Sequence, residues 1–315
     1  MNIIRREQIL PVPPPTPQCH ASTIADADGT LVTAWFAGTK EKANDVMIWV
    51  SRREETGWST PVCVTKEENI PHWNPVLFRK SDGTLLLFYK IGYNIPTWHT
   101  RCLSSVDGGK TWNALGALVP GDTSGGRGPV KNKAIYSSDG RILAPASCEQ
   151  GRWRAFIDVF DGEAWEKKHI PVADETVGMI QPSLWEAPAG HIHALLRTNA
   201  GRIYRSDSTD GGETWCPAYP TSLPNNNSGL DCVQTENGTL VLVCNPIGDD
   251  WGARTPLSLF TSTDNGETFV KQLDLETEAG EYSYPAVIAK GNRLFITYTH
   301  RRTNVAFWEL ELNDE

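Results

Sequence analysis

The sequence predicts an all-β protein, a six-bladed β-propeller of four-stranded antiparallel blades. Three observations carry that expectation. An eight-residue phrase of pattern S-x-D-x-G-x-T-W/F is written three times, at Ser105–Trp112, Ser208–Trp215 and Ser262–Phe269. Apolar β-rich runs follow six turn glycines, Gly29, Gly83, Gly140, Gly190, Gly238 and Gly291, spaced by 54, 57, 50, 48 and 53 residues. Long amphipathic helix patterns are absent. A fixed period of this length marks a repeat architecture, and a repeat of about 50 residues suits a propeller blade.

Each element follows from local chemistry. Pro11–Pro17 reads as a rigid lead into the first blade. Asp28-Gly29, Asp82-Gly83, Asp139-Gly140 and Asn237-Gly238 lie between apolar runs, the strongest short hairpin signal; Ala189-Gly190 and Lys290-Gly291 stand at the same phase. These turns join the first and second strands of each unit. The three full phrases join the third and fourth strands: Asp accepts hydrogen bonds from its own turn, Gly supplies a positive φ, and the aromatic residue plugs the turn from below. Eroded versions, Ser51-Arg52-Arg53-Glu54-Glu55-Thr56-Gly57-Trp58 and Asp161-Gly162-Glu163-Ala164-Trp165, fill the first and third units. The sixth unit ends at Phe307–Leu312, so Ile3–Leu10 is expected to complete the last blade. All 315 residues are read as one propeller domain.

A net charge of −9 argues against nucleic acid or an anionic membrane as partner, while leaving room for an acidic ligand held by a local arginine cluster. Seven cysteines without Cys-x-x-Cys spacing read as free thiols of a reducing compartment. Met1–Glu7 lacks the apolar stretch of a signal peptide. The expected location is therefore cytoplasmic, or secreted or periplasmic if a leader precedes residue 1. The seven histidines show no metal-ligand spacing, and neither a metal nor another cofactor is expected.

Repeat phase also sorts residues by face. The glycine turns and the Asp turns lie on one side; the starts of the inner strands and the loops after the second strands open on the other. Nine residues before each turn glycine stand His20, Asn74, Lys131, Gln181, Gly229 and Tyr282. Seven after it stand Phe36, Lys90, Ser147, Arg197, Asn245 and Tyr298. Polar and aromatic residues converging on a propeller axis predict a ligand pocket there. Their neighbours widen the candidate set: His72, Trp73, Lys133, Asn226, Asn227, Ser228, Asp231 and Glu281 before the inner strands, and Glu41, Asp45, Trp98, Glu149, Trp153, Arg254, His300 and Arg301 beyond the second strands. The bland alternative is a solvated rim.

With these residues in view, the chain resembles the sialidase (neuraminidase) superfamily, in its Asp-box or BNR-repeat branch, over essentially its whole length. The resemblance implies an arginine triad for a sugar carboxylate, a tyrosine nucleophile with a glutamate partner, and an aspartate acid/base. Leu195-Leu196-Arg197-Thr198-Asn199-Ala200-Gly201-Arg202 matches the segment of one triad arginine, and Arg254-Thr255-Pro256-Leu257 that of another. Glu281-Tyr282-Ser283-Tyr284 matches the Tyr-Ser segment, which implies Tyr282 as nucleophile, with Tyr284 as the register alternative. Asp45, or Glu41, falls where the acid/base belongs. The chain departs from the pattern twice: Cys19-His20-Ala21-Ser22 replaces the first triad arginine's segment, and Gln181 stands where the glutamate should. Glu281, Asp231 or Glu149 remain as partners for the tyrosine.

The functional expectation is an exo-glycosidase acting on a carboxylated sugar at a glycan end. Arg197 and Arg254 clamp the carboxylate, Tyr282 attacks, Asp45 protonates the leaving oxygen, and Asp231 or Glu281 assists. Gln181, Lys131, Asn74, His20, His72, Trp73 and Arg301 complete the substrate-binding set. Two alternatives stay open: a lyase on a uronate-containing saccharide, and a glycan-binding propeller without chemistry.

Overall fold

The computed structural model describes residues 1–67 and 69–313. Six antiparallel sheets succeed one another along the chain, five of them formed from consecutive strands. The first blade runs Gln18–Ala27, Thr30–Gly38, Met47–Glu54 and Gly57–Trp58 from the inside out, with Val62–Cys63 also pairing the third strand. The second is His72–Arg79, Leu85–Ile91, His99–Ser105 and Asn113–Ala117; the third Ile135–Tyr136, Ile142–Cys148, Arg154–Phe160 and Trp165–His169. The fourth is Met179–Glu186, Ile192–Thr198, Arg202–Ser208 and Tyr219–Pro224; the fifth Asp231–Gln234, Leu240–Cys244, Leu257–Ser262 and Val270–Glu276. The sixth takes Tyr282–Lys290, Arg293–His300 and Asn304–Glu311 from the end of the chain and its outer strand, Asn2–Gln8, from the beginning. Asn2 pairs with Glu311 and Gln8 with Ala306, so the ring closes non-covalently across its two ends. The expected six-bladed propeller is the observed fold.

Burial between blades holds the ring. Val241, Val243, Leu257 and Leu259 of the fifth blade pack against Val287, Leu294, Ile296 and Tyr298 of the sixth. All eight are inaccessible to solvent. Each such side chain contributes about 1.5–3 kcal/mol relative to exposure.

The Asp turns repeat one hydrogen-bond set. In the fourth blade Ser208 Oγ donates to Asp210 (2.7 Å), the Gly212 amide donates to Ser208 Oγ (2.9 Å), and the Thr214 amide and hydroxyl both donate to Asp210. Trp215 Nε1 closes on the Gly212 carbonyl (3.1 Å). The sets at Asp107 and Asp264 repeat the Ser and Thr bonds. The shortened turn keeps part of it, with Asp161 accepting from the Glu163 and Ala164 amides.

The inner strands share a second device. Their pairing slips at His20/Thr23, Trp73/Val76, Ile180/Ser183 and Ser283/Ala286, which is a β-bulge at the same level in four blades. Ala21, Asn74, Gln181 and Tyr284 sit in these bulges with left-handed φ of 55, 39, 53 and 54°, and Lys131 of the third blade has φ 66°. Proline follows at 75, 182 and 285, where a bulge needs no ladder N–H.

The axial residues are therefore Ala21, Asn74, Lys131, Gln181, Gly229 and Tyr284. Counting from the turn glycines holds for the middle four blades and slips in the first and last. Their hairpins close through Asp28-Gly29 and Gly291-Asn292 alone, whereas the others use residues 80–84, 137–141, 187–191 and 235–239. The glycine thus occupies a different place in the turn. His20 gives way to Ala21 by one residue, and Tyr282 to Tyr284 by two.

Candidate active site

The axial cavity, of about 370 Å³, opens on the face opposite the Asp turns and is lined by residues of all six blades or their loops. His20, Glu41, Trp73, Asn74, Trp98, Glu149, Trp153, Gln181, Arg197, Arg254 and Tyr284 of the expected set line it, joined by Lys42, Ile95, Trp251 and Arg302. Asp107, Asp210 and Asp264 are not in its wall.

Tyr284 is its centre. The bulge turns this residue off the ladder, and its phenol oxygen accepts hydrogen bonds from Arg197 Nη1 (2.8 Å) and Gln181 Nε2 (3.3 Å). The guanidiniums of Arg197 and Arg254 lie 5.9 and 5.8 Å from its ring centroid. The His20 ring packs on it at 4.3 Å. Lys131, beneath, donates to Asn132 Oδ1 and to the Leu230 and Pro285 carbonyls, tying the third, fifth and sixth blades at the axis. Gly229 completes the ring because a Cβ there would stand 2.8 Å from Lys131 Cε and 3.0 Å from Tyr284 Cδ1.

The three arginines are held differently. Arg254 and Arg302 share Glu281 (2.7 and 2.6 Å), and Arg302 also binds Glu41 (2.6 Å). Burial opposes ionisation of Glu281, but the two guanidiniums outweigh it and hold the carboxyl below its usual range. Arg197 is buried and has no carboxylate partner among the described residues. It rests on Asn227 Oδ1 (2.8 Å), Gln181 Oε1 (3.2 Å) and the Tyr284 oxygen. Trp153 and Trp251 each lie 5.6 Å from its guanidinium. Trp251 is itself 63% exposed.

Two titratable groups in the wall are shifted toward their neutral forms. Burial, reinforced by Arg302, Arg254, Arg197 and Lys131, holds His20 well below the ordinary imidazole value. Its Nδ1 is hydrogen-bonded to Thr299 Oγ1 at 2.8 Å, and its Nε2 has no partner among the described residues. Burial raises Glu149 above the usual carboxyl range, against the attraction of Arg197.

Several expected site residues lie elsewhere. Tyr282 is fully buried outside the cavity wall, and its hydroxyl accepts from Arg301 Nε (2.9 Å). Arg301 is on the surface, bound to Tyr282 and Glu278; the adjacent Arg302 reaches the cavity. Both arginines occupy left-handed turn positions (φ 54 and 61°), and that turn carries one outward and the other inward. Asp231 is buried in an ion pair with Lys133 (2.9 Å) and accepts from Ser183 Oγ and the Val287 amide, so it joins four blades and does not reach Tyr282. Asp45 is exposed outside the wall, its carboxylate accepting from the Thr39 amide and hydroxyl at the neck of the loop that carries Glu41 and Lys42. His72 is fully buried, hydrogen-bonded to the Val46 carbonyl and packed on Tyr89. Glu281 braces two wall arginines without lining the cavity. Sequence reasoning missed Arg302, Lys42 and Trp251, which lie in irregular loops where repeat phase carries no information.

The BNR repeat-like domain model matches residues 29–296. No curated relative matches the chain by sequence. Among solved structures, a Dyadobacter fermentans protein of unknown function superposes with TM-score 0.80 at 17% identity, covering 99% of both chains. Hadza microbial sialidase Hz136 gives 0.78 at 16% identity over 94% of this chain and 66% of that one. Trypanosoma rangeli sialidase in complex with sialic acid gives 0.72 at 16% identity, over 98% of this chain and 57% of that one. The chain thus spans less than two thirds of the length of these two sialidases. The likeness to these structures is one of fold; the matched repeats, which span most of the sequence, show that the chain belongs to the BNR repeat-like domain family.

Proposed function

We propose that the protein is a carbohydrate-active enzyme that takes a carboxylated sugar at the end of a glycan and cleaves its glycosidic bond, as a sialidase-like exo-glycosidase. The observation that supports this most is Arg197, a buried guanidinium with no carboxylate partner among the described residues, facing the axial cavity beside Tyr284. A desolvated, unpaired guanidinium is costly unless an anion joins it, and its planar fork fits a carboxylate bidentately. The wall carries Arg197, Arg254, Arg302 and Lys42 on a chain of net charge −9, a local reversal of sign that favours an acidic ligand. Trp251 and Trp153 supply the aromatic faces against which pyranose rings pack. A fold relative, the Trypanosoma rangeli enzyme, holds sialic acid, a sugar of this class.

One feature favours a second reading. The partner of Tyr284 is the amide of Gln181, not a carboxylate, while a neutral His20 packs on the same ring. A neutral imidazole beside a phenol, with arginine neutralising a carboxylate, suits proton abstraction from a uronate and elimination of the leaving sugar.

The deciding experiment incubates the protein with a panel of sialosides and glucuronides. New reducing ends without ultraviolet absorbance establish a hydrolase. An absorbing unsaturated uronate establishes a lyase. Saturable binding in calorimetry with neither product reduces the protein to a lectin-like binder.

A further inference from the structure

Among the described residues, five carboxylates stand in or beside the axial cavity in addition to the buried Asp231 pair; one of them, Asp250, accepts from Asn227 Nδ2 (2.8 Å). Glu41 is bound to Arg302, Glu281 to both Arg254 and Arg302, and Asp45 to Thr39. Glu149 alone makes no ion pair and accepts no hydrogen bond from any described residue, although it lines the cavity. It stands just beyond Ile142–Cys148, the second strand of the third blade, with Gln150 and Gly151 leading on to Trp153. The third blade therefore points a carboxyl into the cavity beside the fourth-blade residue Arg197. From the remaining blades this wall carries Glu41, Lys42, Arg254, Arg302 and the neutral His20.

From this arrangement, and resting on the glycosidase reading above, we propose that Glu149 is the proton donor to the leaving glycosidic oxygen. A general acid must carry its proton at working pH and have that proton free to give. The four other carboxylates fail the second condition, being fixed as acceptors by arginine, Asn227 or Thr39. Glu149 is the carboxyl placed to do so: it lines the cavity, no described residue binds it, and burial shifts it toward its neutral form. In the step, the Glu149 O–H bond breaks and the proton passes to the glycosidic oxygen. The bond from that oxygen to the anomeric carbon breaks, its electron pair leaving with the aglycone as an alcohol. Water then adds to the anomeric carbon, and its spare proton returns to the Glu149 carboxylate, so that one water is used and no other group is consumed.

A proton donor is distinguished from a structural residue by how its loss depends on the leaving group. The test uses two glycosides of one acidic sugar that the wild type cleaves. The 4-nitrophenyl glycoside leaves without help; the methyl glycoside needs a proton. Glu149→Gln should lower kcat/KM on the methyl glycoside by about 10²–10⁴-fold and on the 4-nitrophenyl glycoside by less than about tenfold. The fall of wild-type activity towards high pH should disappear from the variant's residual activity, while its melting temperature stays that of the wild type. Equal losses on both glycosides, or an unchanged alkaline limb, would overturn the assignment while leaving the glycosidase reading intact. A wild type that cleaves neither these nor any other member of the panel would overturn that reading, and this inference with it.

Discussion

Tyr282 and Tyr284 stand two residues apart in one strand and have unlike surroundings. Tyr284 lies in the bulge, receives Arg197 and Gln181 on its oxygen, and faces the cavity; Tyr282 is packed between blades under Arg301. Tyr284→Phe keeps the ring that carries His20 and the arginines, so turnover should fall at least about 10²-fold while ligand affinity in calorimetry is kept. Tyr282→Phe removes one half-buried hydrogen bond and should cost about 1 kcal/mol of stability with turnover retained. Full activity in Tyr284→Phe would remove the phenol from the chemistry. Arg197→Lys is a separate test. Lysine cannot reproduce a stacked, forked contact between Trp153 and Trp251, so affinity for a carboxylated sugar should drop by at least tenfold, measured against the corresponding neutral sugar.

At the scale of the element, the Asp turns are folding devices away from the cavity. In Asp210, burial works against ionisation, but bonds from Thr214 and Ser208 overcome it and bring the pKa down to about 2. Asp264 is likewise lowered to about 2, chiefly by the Thr268 hydroxyl. A carboxyl whose folded value is depressed contributes stability above its unfolded value, near 3.9, and loses it as pH falls through the folded value. Asp210→Ala should therefore melt a few degrees below wild type at neutral pH, and the gap should close as pH is lowered from about 4 to 2. Substrate affinity should be unchanged. A gap independent of pH would show that the turn works through shape alone. The inner-strand bulges are the functional counterpart, since they place Asn74, Gln181 and Tyr284 at one level on the axis. Gly229→Ala should disrupt this level, because the new methyl would stand 2.8 Å from Lys131 Cε and 3.0 Å from Tyr284 Cδ1, and both side chains must shift to admit it. Loss of ligand binding at near-normal circular dichroism is the expected result.

The whole ring depends on two long-range ties. Asn2–Gln8 closes the sixth blade, with Arg6 bound to Glu276 of the fifth blade and Arg53 of the first blade bound to Glu7. Deleting residues 1–8 leaves Asn304–Glu311 as an open edge and should lower the melting temperature sharply and promote association, read by scattering during the melt. Asp231 and Lys133 form the other tie. Asp231 touches the fourth blade through Ser183 and the sixth through Val287, while Lys133 arrives from the lead into the third. Asp231→Asn takes the carboxylate from the part-buried Lys133 ammonium and should cost about 1.5–3 kcal/mol in denaturant unfolding. A near-neutral effect would show that the Cys232 carbonyl, which also accepts from Lys133, is enough.

The architecture was legible because it is periodic. Turn glycines and Asp phrases are written in residue type at a fixed interval, and six repeats of a hydrogen-bonded hairpin unit admit few arrangements. The cavity's location followed too, since strand phase assigns each residue to a face, and Arg197, Arg254, Gln181, Asn74, His20 and Trp73 all line it. What escaped the sequence lies where the period breaks. A two-residue hairpin in the last blade moved the axial tyrosine from 282 to 284, and consecutive left-handed residues turned Arg302 inward and Arg301 out. Asp231, Asp45 and His72 are of the right chemical type near the right place, yet their partners come from strands and loops brought together only by closure of the ring. Which charged group is left unpaired is a property of three-dimensional neighbours. Tertiary structure alone engages Asp231 with Lys133 and Glu281 with two arginines, and leaves Arg197 and Glu149 facing the cavity.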